Sequence, residues 1–174
     1  MSATFLDECL DVLTRTPRTL DAMLRRMSPQ WTSATEGPGT WSPYDVLGHL
    51  VHGERTDWMV RLQIILEHGT SRVFDAFDRE AQFTESTGKT IENLLDEFAV
   101  CREANVEALR ALNLQSSHLD LVGTHPGLEP VTARQLLATW TAHDLAHILQ
   151  ISRTMAKRYK AEVGPWAEYL SVMK

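Results

Sequence analysis

Cysteine is scarce: only Cys9 and Cys101 occur in 174 residues, and no Cys-x-x-Cys pair exists. A disulfide framework is therefore not expected, and a reducing, cytoplasmic setting is. Nowhere does the chain approach the run of about 18 apolar residues that spans a membrane. The opening MSATFLDECLDV lacks the basic segment, apolar stretch and cleavage site of a secretion signal. Positive charge is thinly scattered, the formal net charge is −6, and no lysine/arginine block occurs. That distribution argues against a nucleic-acid partner. Sustained strand alternation, hairpin turn pairs and internal repeats are missing as well.

Apolar residues at helical spacing are present throughout. With 43% hydrophobic residues, the chain is long enough for one domain, 1–174, with a sizeable core. Phe5, Leu6, Cys9, Leu10, Val12 and Leu13 mark a first helix, interrupted at Thr16-Pro17 and resuming through Leu20, Met23, Leu24 and Met27. Residues 28–40 read as loop. Ser42-Pro43-Tyr44-Asp45 is a helix start, and that helix should run to about His68, where Gly69 stops it. Residues 70–88 form a connection whose Phe74, Phe77 and Phe83 are expected to pack over one end of the core. Thr90 can cap a helix over 91–112, and 113–130 is a second long connection. Thr132 can cap a last long helix to about Val163, followed by a break at Gly164-Pro165 and a short helix from Trp166 to Met173. The predicted fold class is all-α: a four-helix bundle with long connections and a short C-terminal helix.

His143 and His147 stand four residues apart on the last long helix. That places them about 40° apart around the helix, on the side shared by Leu136, Trp140 and Ile151. The i, i+4 spacing lets both rings reach one point, as in helical zinc sites. A third ligand is sought on another inward face, and His49, close in angle to Val46, Val60 and Ile64, is the best candidate. Against this stands the bland reading, in which each imidazole is a core residue satisfied by a carbonyl. His52 is an alternative third ligand lying about 60° away around the helix, and His125 could overhang the site from its loop. Gly53, one turn after His49, either leaves room for a ligand or allows close helix packing. The expected pocket floor is Gly53, Val60 and Trp140. Asp57 could orient an imidazole and Arg61 could bind an acidic group, or the two could form an ordinary salt bridge. Asp144 is not placed like the glutamate of His-Glu-x-x-His and suits a supporting or capping role. Arg102 and Asn105, interrupting an apolar stripe, either line the pocket or lock helices together.

Leu145 and Leu149, with Ala138 and Ala142, occupy the opposite side of the last helix. A helix apolar on two sides is buried on two sides, so a homodimer is expected.

Three stretches, WSPYDVLGHLVHGERTDWMVR (41–61), FDREAQF (77–83) and THPGLEPVTARQLLATWTAHDLAHILQISRTMAKRY (124–159), resemble the DinB-like superfamily. The resemblance implies a four-helix bundle holding a divalent metal through three histidines, one from a Gly-His-Leu segment and two from His-x-x-x-His. On this chain those are His49, His143 and His147. Glu129-Pro130 departs from the glycine common after His-Pro-x-Leu in relatives, which affects the turn and not the triad. Characterised members of such families include enzymes that use low-molecular-weight thiols such as bacillithiol or mycothiol, as S-transferases or as a maleylpyruvate isomerase. The resemblance thus implies a small-molecule substrate, a divalent ion (zinc, nickel or iron) and a low-molecular-weight thiol as cosubstrate. Two other readings stay open: a non-catalytic protein that binds a metal or small ligand, and a structural bundle whose histidines satisfy one another.

Overall fold

A computed structural model describes residues 4–174. Thr4 and Asp7 close a capping box at the start of α1 (Phe5–Leu13). The chain breaks at Thr14–Arg15 and resumes as α2 (Thr16–Leu24), with Pro17 in its first turn. The loop expected at 28–40 contains one helical turn, α3 (Pro29–Thr32). Ser42 and Asp45 form a second capping box, which starts α4 (Pro43–Thr56). The helix expected to reach His68 unbroken is instead divided at Asp57 (φ −114°, ψ −74°), and α5 (Trp58–His68) follows. Gly69, at φ +55°, ends it as expected.

The 70–88 connection carries α6 (Ala81–Glu85), and Thr90 with Asn93 caps α7 (Ile91–Ala111). The connection after α7 contains α8 (Ser116–Leu119) and two antiparallel strands, β1 (Val122–Gly123) and β2 (Val131–Thr132). Two-residue strands are too short for an alternation pattern to register. Thr132 and Gln135 cap α9 (Ala133–Lys157), which stops short of the expected Val163; α10 (Lys160–Val163) is a separate turn. In place of the expected C-terminal helix there are two 3-10 segments, Gly164–Tyr169 and Ser171–Met173. None of the described helices is long and apolar enough to cross a membrane.

Four rods make the bundle: α1 with α2, α4 with α5, α7, and α9. The first rod packs on α7 and α9, and so does the second. The first two rods therefore share one diagonal, and α7 and α9 share the other. The segments 25–42 and 112–132 each cross a diagonal, which is why neither is a short hairpin turn.

The core has two apolar halves. One contains Leu13, Trp58, Leu62, Leu109, Leu137 and Trp140, the other Leu20, Leu47, Leu50, Leu94, Phe98 and Ile151. A polar layer centred on the fully buried Arg102 separates them. Its guanidinium grips Asp144 with two hydrogen bonds (2.5 and 2.9 Å) and donates to Glu54 Oε1 (2.8 Å). Glu54 also accepts from Trp140 Nε1 (2.9 Å) and Asn105 Nδ2 (3.0 Å). Of the two roles open to Arg102 and Asn105, the interhelical lock is the one observed. Burial works against the guanidinium charge, but the hydrogen bonds to Asp144 and Glu54 outweigh it and raise the Arg102 pKa above its ordinary value.

The lock also repairs both broken rods. In an unbroken helix the residue-17 N–H would bond the Leu13 carbonyl, but Pro17 has none. Arg102 Nη1 donates to that carbonyl instead, at 3.0 Å. At the second break, Asn105 Nδ2 donates to the Glu54 carbonyl at 2.7 Å.

Outside the core, Glu36 ties the 33–41 loop to α9 through Arg153 (2.6 Å) and Lys157 (2.8 Å). The hydrogen bond from Lys157, then that from Arg153, hold its pKa below the ordinary value despite partial desolvation. A depressed carboxylate pKa contributes stability that is present above the unfolded value and is lost as pH falls through the folded one.

Two outcomes are expected. Arg102→Met should lower unfolding free energy by about 3–5 kcal/mol in urea titrations, because two carboxyl groups are left buried without their cation. Glu36→Gln should lower the melting temperature at pH 7, and the wild-type and variant curves should converge as pH falls toward about 3.

Candidate metal centre

α4 and α9 cross beside the polar layer, and their inward faces carry the three histidines. His49 is 6% exposed, and His143 and His147 are largely covered. His49 Nε2 lies 3.2 Å from His143 Nε2, which lies 3.0 Å from His147 Nε2. One nitrogen from each ring falls within 4.8 Å of the others. Two nitrogens on one tetrahedral zinc, with Zn–N near 2.0–2.1 Å, are separated by about 3.3–3.4 Å. The cluster thus has the donor type and spacing to hold a divalent ion.

Hydrogen bonding alone leaves this cluster unsatisfied. His147 Nδ1 donates to Gln150 Oε1 at 2.8 Å, so the Nε2 of a neutral His147 carries a lone pair. His143 can donate its Nε2 proton to His147, and it then has no second proton for His49. A shared cation would satisfy both contacts at once. Burial, followed by the neighbouring imidazoles, pushes the His49 pKa down to about 4 and that of His143 to about 3. Burial also lowers His147, against the opposing pull of Gln150 and Asp144. All three rings are therefore neutral near pH 7, as ligation requires.

The triad forms one wall of a cavity of about 680 Å³, a volume suited to a small organic ligand. Trp41 lies parallel to His147 (12°, centroids 6.5 Å apart) and packs on His49 at 4.9 Å. Phe77 stands edge-on to His49, and Trp58 edge-on to His143. His125, with Nδ1 accepting from the Gly127 N–H, lines the cavity but is not among the three clustered rings.

His52 turns away from the triad and pairs with Glu85 (Nδ1–Oε1, 3.1 Å), so it is not the third ring. Asp57 and Arg61 form the ordinary salt bridge. Burial raises the Asp57 pKa, and Arg61 only partly offsets this. Asp144 serves Arg102 and leaves the imidazoles alone. Gly53 does line the cavity; a Cβ there would meet only Trp58 Nε1 at 3.4 Å, so open space is its observed role. Close packing belongs to Gly48, where a Cβ would collide with Ser86 Oγ and press Gln82 Cβ at 3.2 Å.

Two expected floor residues are misplaced. Val60 is 37% exposed, because the break at Asp57 turns α5 relative to α4 and brings Trp58 to the cavity instead. Trp140 is buried behind the site, with its indole on Glu54. Phe74 is buried, Phe77 reaches the cavity, and Phe83, expected to pack over one end of the core, is half exposed. Sequence reasoning missed Trp41 and Gln150. The i, i+3 spacing of His147 and Gln150 was a usable signal; Trp41 had none beyond its place before the Ser42 cap.

Gln150→Ala should weaken zinc binding by about 10-fold or more in competition with a chelator, with little change in melting temperature of the metal-free protein. The reason is that Gln150 alone sets the His147 tautomer.

No curated protein matches the chain. Among solved structures, YfiT from Bacillus subtilis, described as a probable metal-dependent hydrolase with an unusual four-helix bundle topology, superposes with a TM-score of 0.78 at 19% identity. The match covers 91% of this chain and 90% of that one, and at this identity it speaks for the fold alone. The family model of the DinB superfamily matches residues 13–151, most of the chain and the whole of the histidine cluster. The chain belongs to the DinB superfamily.

Proposed function

We propose that the protein binds a divalent metal through His49, His143 and His147 and uses it, as an enzyme, to activate a low-molecular-weight thiol for transfer to a small electrophile. The observation that carries this reading is the convergence of three neutral imidazole nitrogens, one from each ring within 4.8 Å of the others, on the wall of an open cavity. Three neutral ligands leave the ion's charge uncompensated and a coordination position available. When bound, such an ion lowers the pKa of a thiol or a water molecule that it contacts.

The protein's own groups would then position reactants. Trp41, Phe77 and Trp58 wall the triad and keep bulk water from its sides. Gly53 leaves space one turn from His49. No uncommitted carboxylate lines the cavity among the described residues: Asp57 pairs with Arg61, and Glu54 and Asp144 are bound into the lock. That favours a nucleophile ionised by the metal itself, as a thiol is, over water activated by a carboxylate base. YfiT's description as a probable hydrolase makes water the competing nucleophile. The same lack of a free base supports the second reading, a non-catalytic metal or small-ligand binding protein.

Elemental analysis of untagged protein should find about one divalent ion per chain in wild type and a large loss in His147→Ala. Metal-loaded wild type should conjugate bacterial thiols to model electrophiles, and His147→Ala should not. Stoichiometric metal without turnover of thiols or esters would leave the binding-protein reading; no stoichiometric metal would overturn the enzyme reading and every metal-binding form of the second, leaving only small-ligand binding.

We further propose a homodimer through the outer face of α9, where Leu145 (52%) and Leu149 (59%) are exposed beside Ala138 and Ala142. Light scattering at micromolar concentration should give the dimer mass; a clean monomer would refute this.

A further inference from the structure

The cavity carries an unbalanced charge pattern. Arg61, Arg79 and Asp57 are the charged side chains lining it, beside His125 and the triad. Arg61 is committed: it pairs with Asp57, lies over the Phe74 ring at 5.4 Å and reaches the Asp75 carbonyl at 3.5 Å. Its charge is cancelled within the wall. Arg79 has no such partner. Among the described residues it makes no ion pair, although Asp78 and Glu80 flank it in sequence. Asp78 Oδ1 is turned to the Glu80 N–H instead (2.9 Å), and nearby Glu85 is taken by His52. Arg79 lies close enough to His49 for its charge to bear on the imidazole.

A lone uncancelled guanidinium on a cavity wall, in a chain of formal net charge −6, is a local positive feature that focuses anions. Most of the remaining lining is apolar, with Trp41, Phe77, Leu128, Val131 and Leu136, and its polar side chains Gln135 and Thr139 are engaged by the Thr132 N–H and the Gln135 carbonyl. Such a surface accepts a hydrocarbon body and gives it no hydrogen bonds. A guanidinium fork matches a carboxylate with two parallel N–H···O bonds. A phosphate dianion would call for more donors than a single free arginine supplies.

We propose that Arg79 determines ligand specificity, and that the cavity takes a small monocarboxylate with an aromatic or aliphatic body, the carboxylate on Arg79 and the body toward the histidine cluster. This deepens the proposed function, resting on its reading of the cavity as the ligand site and not on the presence of metal.

The test is isothermal titration of 4-phenylbutanoate and its uncharged amide into wild type and Arg79→Gln, each metal-free and zinc-loaded. Arg79 is exposed, so the variant should fold, and an unchanged melting temperature checks that. Metal-free wild type should bind the acid about 10-fold or more tightly than the amide, with the preference shrinking as salt rises. Arg79→Gln should abolish the preference and leave amide affinity unaltered. Equal affinities in wild type, binding of neither compound, or a preference that survives Arg79→Gln would overturn the proposal. A preference confined to zinc-loaded protein and retained by the variant would also overturn it, placing the anion on the metal. Because metal content is measured separately, loss of the metal reading and loss of this one are distinguishable.

Discussion

A single buried cation organises this bundle. Arg102 reaches from α7 to Asp144 on α9, to Glu54 on α4, and to the Leu13 carbonyl at the end of α1. Four rods thus meet at one guanidinium. A buried charge is tolerable only when most of its hydrogen-bond demand is met: here the two terminal nitrogens donate to two carboxyl groups and a carbonyl, Nε alone lacks a partner, and the faces of Phe98 and Trp140 flank the group. The position of the layer follows from the chain's defects. Pro17 frees one carbonyl and the break at Asp57 frees another, and both face α7, where Arg102 and Asn105 accommodate them.

The lock and the histidine cluster share their helices. Asp144 follows His143 directly, and successive residues on a helix point about 100° apart. Holding Asp144 on Arg102 therefore sets the rotation of α9 and delivers His143 and His147 to the side facing His49. Glu54 acts likewise on α4, one residue after Gly53 and five after His49. The layer that divides the apolar core also aims the rings, so rigidity at the centre becomes precision at the cavity wall.

Most of the bundle was readable because its signals are local. The Ser42, Thr90 and Thr132 caps act over one helical turn and fall where their sequences put them. Gly69 ends α5 for an equally local reason, its positive φ. What escaped is non-local. The kink at Asp57 has no proline to announce it, and it carried Val60 out of the cavity and Trp58 in. β1 and β2 pair two residues each across a loop, too few for periodicity to show. The histidine pair was legible from its i, i+4 spacing. His49 was preferred to His52 from its angle around the helix; that His52 pairs with Glu85, joining α4 to α6 across the 70–88 connection, was not legible.

By itself the sequence determined the helical class, the start of each long helix and the shared face of His143 and His147, since all of these rest on contacts within a turn or two of chain. Only the tertiary structure decided that the first two rods lie on one diagonal and the last two on the other, that Arg102 closes a lock instead of lining a pocket, and which rings converge. Those outcomes hinge on the relative rotation of separate helices, a quantity set by packing and buried charge between segments far apart in sequence.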